Sequence, residues 1–211
     1  HGVTGVGFTI SSEQRDYAIR KIADRGLSDK LEIRLQDARE AEGLYVKVAS
    51  VGMVEHMGNA QIAPVFERIS KILKPQGLAM VHTIGNDMQR PIDPWIDKYI
   101  FPGTQASPLT TILEAAGRDD LYAVDLENLR QHYPPTVDYW IANYEANLDR
   151  IREMYDDLFV RSFRLYLEVG RASFQWGDNR LYHLLMTKGV RNDGPTTRAS
   201  LVLPGDRPAA S

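Results

Sequence analysis

The chain has 211 residues, 43% of them hydrophobic and 25% charged, with a net charge of −3 and no cysteine. This supports one domain with a sizeable core, or a domain with an appended cap, and is the composition of an ordinary soluble globular protein. The slight acidity gives no electrostatic footing for nucleic acid, disulfides and thiolate metal sites are excluded, and no apolar run approaches the ~20 residues of a membrane-spanning helix.

Residues 2–10 (GVTGVGFTI) are β-branched and glycine-rich and read as a buried strand. The chain runs into this strand directly from His1, so a longer parent protein is expected. Ser11 and Gln14 form an S-x-x-Q capping pattern, and Gly26 follows the helix they would open. LEIRL (31–35) and LYVKVASVGM (44–53) read as the next strands. Ile62, Val65, Phe66, Ile69, Ile72 and Leu73 fall at helical spacing, and KPQG (74–77) stops that helix. LAMVHTIG (78–85) is a further strand. The succession predicts an α/β fold with a mostly parallel sheet.

From Pro91 to Phe101 (PIDPWIDKYIF) the chain turns apolar and aromatic, and a second apolar helix is expected over Leu109–Ala116. Residues 133–176 carry one long helical pattern that includes Val137, Trp140, Tyr144, Leu148, Ile151, Tyr155 and Phe159. LYHLLMTK (181–188) reads as a last sheet strand, and the polar end of the chain as a loose tail.

Open α/β sheets bind ligands beyond the carboxyl ends of their strands. Ser11 and Gln14, Glu55 and His56, and His82 all fall near such ends. Each also has an ordinary reading. A strand-end glutamate is usually a solvated or helix-start charge, a lone histidine in an apolar strand is usually core, and Tyr133 would pack with its hydroxyl bonded. No histidine or carboxylate spacing suits a metal, and neither a G-x-S-x-G nor a P-loop is present. Alone, these residues imply an α/β domain with a polar cleft and no particular reaction.

The segments VTGVGFTISSEQ, LEIRLQDARE, SVGMVEHMG, ILKPQGLAMVHTIG, KYIFPG, NLRQHYPPTVDYW and FRLYLEVGRASFQWGDNRLYHLLMTKG occur in this order. Together they resemble the cyclopropane-fatty-acyl-phospholipid synthase family, which includes the mycolic acid cyclopropane synthases, over the chain to about Arg198. The resemblance implies a Rossmann-like class I methyltransferase sheet over 1–198. Helical insertions would cover a lipid site around 88–118 and 127–176, and 199–211 would be a disordered tail. It implies S-adenosylmethionine as cofactor and methyl transfer to the cis double bond of unsaturated phospholipid acyl chains. A proton is then lost from the added methyl and a cyclopropane ring closes, with a bound bicarbonate as base. By the resemblance, Glu55, His82 and Tyr133 hold the bicarbonate, with the backbone of Ile84. Thr9, Ile10 and Gln14 would contact the ribose and methionine part of the cofactor, Gln36, Asp37 and Ala38 its adenine, and His56 its near side. The implied setting is cytoplasmic, with transient contact at the membrane surface through the apolar insertion; a homo-oligomer is left open.

Departures from the family pattern qualify this. The glycine-rich cofactor loop of the E-x-G-C-G-W-G kind is absent and belongs ahead of His1, on a central strand that would pair with both GVGFTI and LYVKVASVGM. Without it two strand edges are expected to be unpaired. The family's site cysteine also belongs there. Ala38 stands where many relatives carry Tyr or Trp, and YVKVAS replaces F-D-R-I-V-S. Two other readings stay open: a methyltransferase making methyl-branched or methylene fatty acids or acting on another small molecule, and a non-catalytic remnant or partner-dependent subunit.

Overall fold

The structure, a computed structural model, describes residues 2–194. The expected tail, 199–211, lies outside the described residues. The first strands are β1 (Gly5–Thr9) and β2 (Leu31–Leu35), joined by α1 (Ser12–Asp24) and paired in parallel. The Ser11 hydroxyl caps α1 by accepting from the Gln14 amide at 3.1 Å. The reciprocal half of a capping box is not made. Instead the Thr9 hydroxyl donates to the Gln14 side chain at 2.7 Å and accepts from the Ser11 amide at 3.2 Å.

A second sheet follows. It contains β3 (Tyr45–Val51), β4 (Leu73–Asn86), β5 (Ser107–Pro108), β6 (Leu121–Asn128) and β7 (Arg180–Lys188). Its order is β3-β4-β7-β6, with β5 on β4. β3 and β5 run parallel to β4, whereas β7 is antiparallel to both β4 and β6. The helix between β3 and β4 is α2 (Asn59–Ile72); α3 (Pro94–Tyr99) and α4 (Leu109–Arg118) lie between β4 and β6. Alternation along the strands decides the core. Ala79 and Val81 of β4 and Leu184 and Met186 of β7 turn to one face and pack with Ile62 and Phe66 of α2 and Ile112 of α4. Phe66 is fully buried at the centre.

Between β6 and β7 rises a helical cap: α5 (Tyr133–Ala146), α6 (Leu148–Met154) and α7 (Asp157–Gln175). Val137, Tyr144, Val160 and Leu167 form its own core. The buried Tyr144 hydroxyl donates to the Val160 carbonyl at 2.7 Å.

Four expectations change. The single helical pattern over 133–176 is three helices, because Asn147 leaves helical geometry and Asp156 starts a new helix by accepting from the Phe159 amide at 2.8 Å. LYAVDLEN (121–128), not anticipated as a strand, is β6, since β7 offers it a partner edge far along the chain. Of the insertion expected around 88–118, α4 belongs to the sheet core. And β1, expected to be buried, is half-buried throughout, while α1 buries no residue at all. Among the described residues, β1 has a partner on one side only and β3 is a sheet edge.

Candidate active site

The stretch SVGMVEHMG makes the turn that carries the site. β3 ends at Val51, and Gly52 reverses the chain with φ +64°, a conformation costly for residues with a Cβ. Its amide donates to the His82 carbonyl at 3.0 Å, which ties the turn to β4. Val54 is fully buried in the sheet core and anchors a 3-10 turn, Val54–His56. Gly58, φ +69°, then opens α2. With Val54 driven inward, Glu55 and His56 are left facing a cavity of about 740 Å³.

Glu55 is held from β4. One carboxylate oxygen accepts from the Thr83 hydroxyl at 2.9 Å and the other from the Ile84 amide at 3.5 Å, a weak contact. Its backbone carbonyl accepts from the Gln105 amide at 3.3 Å. Thr83 was not among the expected site residues; it is buried on the face of β4 opposite to His82 and Ile84.

The opposite wall comes from the cap. Tyr133 stacks on Phe174 with ring centroids 4.0 Å apart and meets Trp140 edge-on at 5.8 Å. Arg130 sets this pair, because its guanidinium donates to the Phe174 and Gln175 carbonyls at 2.6 and 3.0 Å, at the negative end of α7. Phe101 links the two sides, edge-on to His56 at 5.6 Å and to Tyr166 at 5.5 Å. Burial pushes the Tyr133 phenol up, with Tyr166 and Glu55 adding to the shift, and burial does the same to Tyr166. Both stay protonated donors at neutral pH, and neither hydroxyl has a hydrogen-bond partner among the described residues.

Asn86, the last residue of β4, is buried, lines the cavity and leaves its Oδ1 without a partner. A buried amide oxygen in that state calls for a donor, so the cavity suits a ligand with a polar group. Its only sequence signal is its place at a strand's carboxyl end.

Four of the expected site residues thus meet at the cavity: Glu55, His56, Tyr133 and Ile84. His82 is not among the residues that line it. Its Nδ1 lies 2.6 Å from Nε2 of His183, its cross-strand partner on β7. Burial first, and then His183, holds the His82 imidazole below its ordinary pKa, against a smaller opposing effect of Glu55. Thr9, Ile10, Gln14, Gln36, Asp37 and Ala38 fall at or just beyond the carboxyl ends of β1 and β2, and none of them lines the cavity. Ile10 is exposed, and the Gln36 amide donates to the Thr9 carbonyl at 2.9 Å. Asp37 caps Arg39 through the backbone and also takes its guanidinium, which lowers the carboxyl pKa. As placed, Asp37 would have to release Arg39 before accepting from a nucleoside. The acidic and phenolic groups of the cavity fit a small oxyacid only in part: Glu55 keeps unused lone pairs and Tyr133 an unused O–H, while His82 does not reach in.

A parallel-stranded α/β core closed by an antiparallel β7, with functional groups at strand ends and a helical cap, is a class I methyltransferase-like fold. A crystal structure of mycolic acid cyclopropane synthase CmaA1, complexed with SAH and CTAB, superposes with a TM-score of 0.83 at 20% identity, covering 89% of this chain and 71% of that one. Residues 1–184 match the family of mycolic acid cyclopropane synthetases, and the chain belongs to it. It is 31% identical over 206 residues to a probable fatty acid methyltransferase of Pseudomonas putida, covering 92% of this chain and 52% of that protein. It is 32% identical over 197 residues to the cyclopropane-fatty-acyl-phospholipid synthase of Escherichia coli K12, covering 91% and 49%. The chain therefore spans about half the length of these relatives.

Proposed function

We propose that this chain is the catalytic part of an S-adenosylmethionine-dependent methyltransferase that acts on the cis double bond of unsaturated phospholipid acyl chains and gives cyclopropane fatty acids. The observation that carries this reading is the make-up of the cavity: an aromatic and apolar wall from the cap, with the Tyr133 and Tyr166 phenols, facing a carboxylate and a buried amide beyond the ends of β3 and β4. Family membership supports the same direction.

S-adenosylmethionine, when bound, supplies an electrophilic methyl group. The cap holds an acyl chain against the strand ends and excludes water, so that positioning does much of the work. Methyl addition to an alkene leaves a carbocation in the chain. The faces of Tyr133, Phe174 and Trp140 stabilise positive charge without offering a nucleophile. Glu55, fixed by Thr83 and Ile84, receives the proton lost in ring closure; a bicarbonate bound beside it would be held by Glu55 accepting its O–H and would supply a further base. Tyr133 and Tyr166 donate to an anion there.

A second reading ends in a methylene chain: the same cation loses its proton without ring closure, and a methyl-branched chain would then need a separate hydride donor. With His82 outside the cavity lining, Glu55 is the carboxylate that faces the cation in either case. The deciding experiment combines calorimetric titration with S-adenosylhomocysteine and mass spectrometry of unsaturated phospholipid incubated with S-adenosylmethionine. Micromolar binding and a ring-bearing product are expected. A methylene product selects the second reading. No binding by a folded chain assigns this chain to a non-catalytic or partner-dependent role.

A further inference from the structure

An unbroken ladder of rings leads from the cavity to the outer corner of the cap. It starts at His56 and passes through Phe101, Tyr166, Phe163 and Phe159 to Tyr155, with successive centroids 5.6, 5.5, 5.6, 5.6 and 4.1 Å apart. Beside it runs a groove of about 580 Å³ that shares Phe101, Trp140, Tyr166 and Leu167 with the cavity as common walls. The ladder ends where α6 turns into α7. There Met154 and Leu158 are each 60% exposed, and Tyr155 and Phe159 are partly exposed as well. Four large apolar side chains at one turn are a cluster that water does not favour.

We infer that this corner inserts into the surface of a phospholipid bilayer and that the groove is the path by which a single acyl chain leaves the bilayer for the cavity. The inference rests on the lipid-methyltransferase reading above. Two features favour a bilayer over a protein surface. Tyr155 adjoins Met154 and Tyr99 lines the groove, both partly exposed, and side chains with an apolar body and a polar edge suit the headgroup boundary. The Lys98 ammonium lies 4.9 Å from the centre of the Tyr99 ring, a pair that can bury its stem and keep its charge in water. A protein seated on the corner would also close the mouth of the groove. Segment 149–161 carries three arginines and four acids, so insertion is apolar and not driven by anionic lipid.

The test is sedimentation of the full chain with sucrose-loaded phosphatidylcholine vesicles, read beside a Met154→Asp/Leu158→Asp variant. Both side chains lie outside the cavity and groove linings, and thermal melting checks that the variant is folded. Wild type is expected to partition onto zwitterionic vesicles, insensitively to salt, and the variant at least tenfold less. A second measurement needs no turnover. In a Trp95→Phe/Trp176→Phe protein the remaining Trp140, on the shared wall, should be quenched by vesicles of phosphatidylcholine brominated on its acyl chains. Quenching without methyl transfer would leave the entry path standing and remove the methyltransferase reading. Equal partitioning of wild type and variant would overturn the inference, as would bound protein with unquenched Trp140. So would a corner that the double variant shows to hold a second copy, by turning a dimer into a monomer with vesicle binding unchanged.

Discussion

At the residue scale, Glu55 is the group on which the chemistry turns. Its carboxylate is set by a hydroxyl and an amide of β4, so an isosteric amide keeps the fold while losing the proton acceptor. Glu55→Gln is expected to lower turnover roughly 10²–10⁴-fold while S-adenosylhomocysteine affinity changes little, as read by steady-state kinetics beside calorimetry. Equal losses in both would contradict the role. The His82–His183 pair makes a different prediction. Because burial and His183 lower the folded pKa of His82, the unfolded chain binds more protons below ~6.5. Its contribution to stability is thus full above that pH and is lost as pH falls toward the folded value. Urea denaturation at pH 7.5 and 5.5 should show a loss that His82→Gln reduces; an unchanged loss would mean other groups dominate.

At the scale of elements, the cap depends on starting α7 afresh. Asp156 does this through one bond to the Phe159 amide. Asp156→Ala should cost about 0.5–2 kcal/mol, measured by chemical denaturation. Its effect should reach the site, since α7 carries Tyr166 and Phe174. The helices of the sheet core and all but one of its long strands were legible in the sequence, because Ile62, Val65, Phe66 and Ile69 repeat at helical spacing and LYVKVASVGM, LAMVHTIG and LYHLLMTK are short apolar runs. The cap was legible only as helix. Val137, Tyr144, Leu148 and Ile151 keep one apolar rhythm across Asn147, so periodicity alone does not show the break. β6 was illegible for another reason: exposed Tyr122 and Val124 mix with Asp125 and Glu127, and pairing with β7 overrides a weak local pattern.

At the scale of the molecule, the strands form two separate sheets, and among the described residues each has unpaired edges. β3 is an edge strand whose Val46 and Val51 are both more than 60% exposed, a template for pairing with another chain. Concentration-dependent self-association is expected by analytical ultracentrifugation, and Val46→Lys/Val51→Lys should shift it toward monomer. A monomer at every concentration would remove the edge as an assembly surface.

The sequence by itself determined the α/β class, the helix-start at Ser11, the strand-end position of Glu55 and His56, and, through ordered segments, the family. These rest on local propensity and on spacing, both of which are written along the chain. Only the tertiary structure decided which groups share one space. It brought Tyr133 to Glu55 by tying Arg130 to the end of α7, added Thr83 and Asn86, and turned His82 toward His183 and away from the cavity lining. It also left the β1–β2 residues outside that lining. Such choices depend on contacts between residues far apart in the chain, where packing and hydrogen-bond satisfaction, and not local preference, select the arrangement.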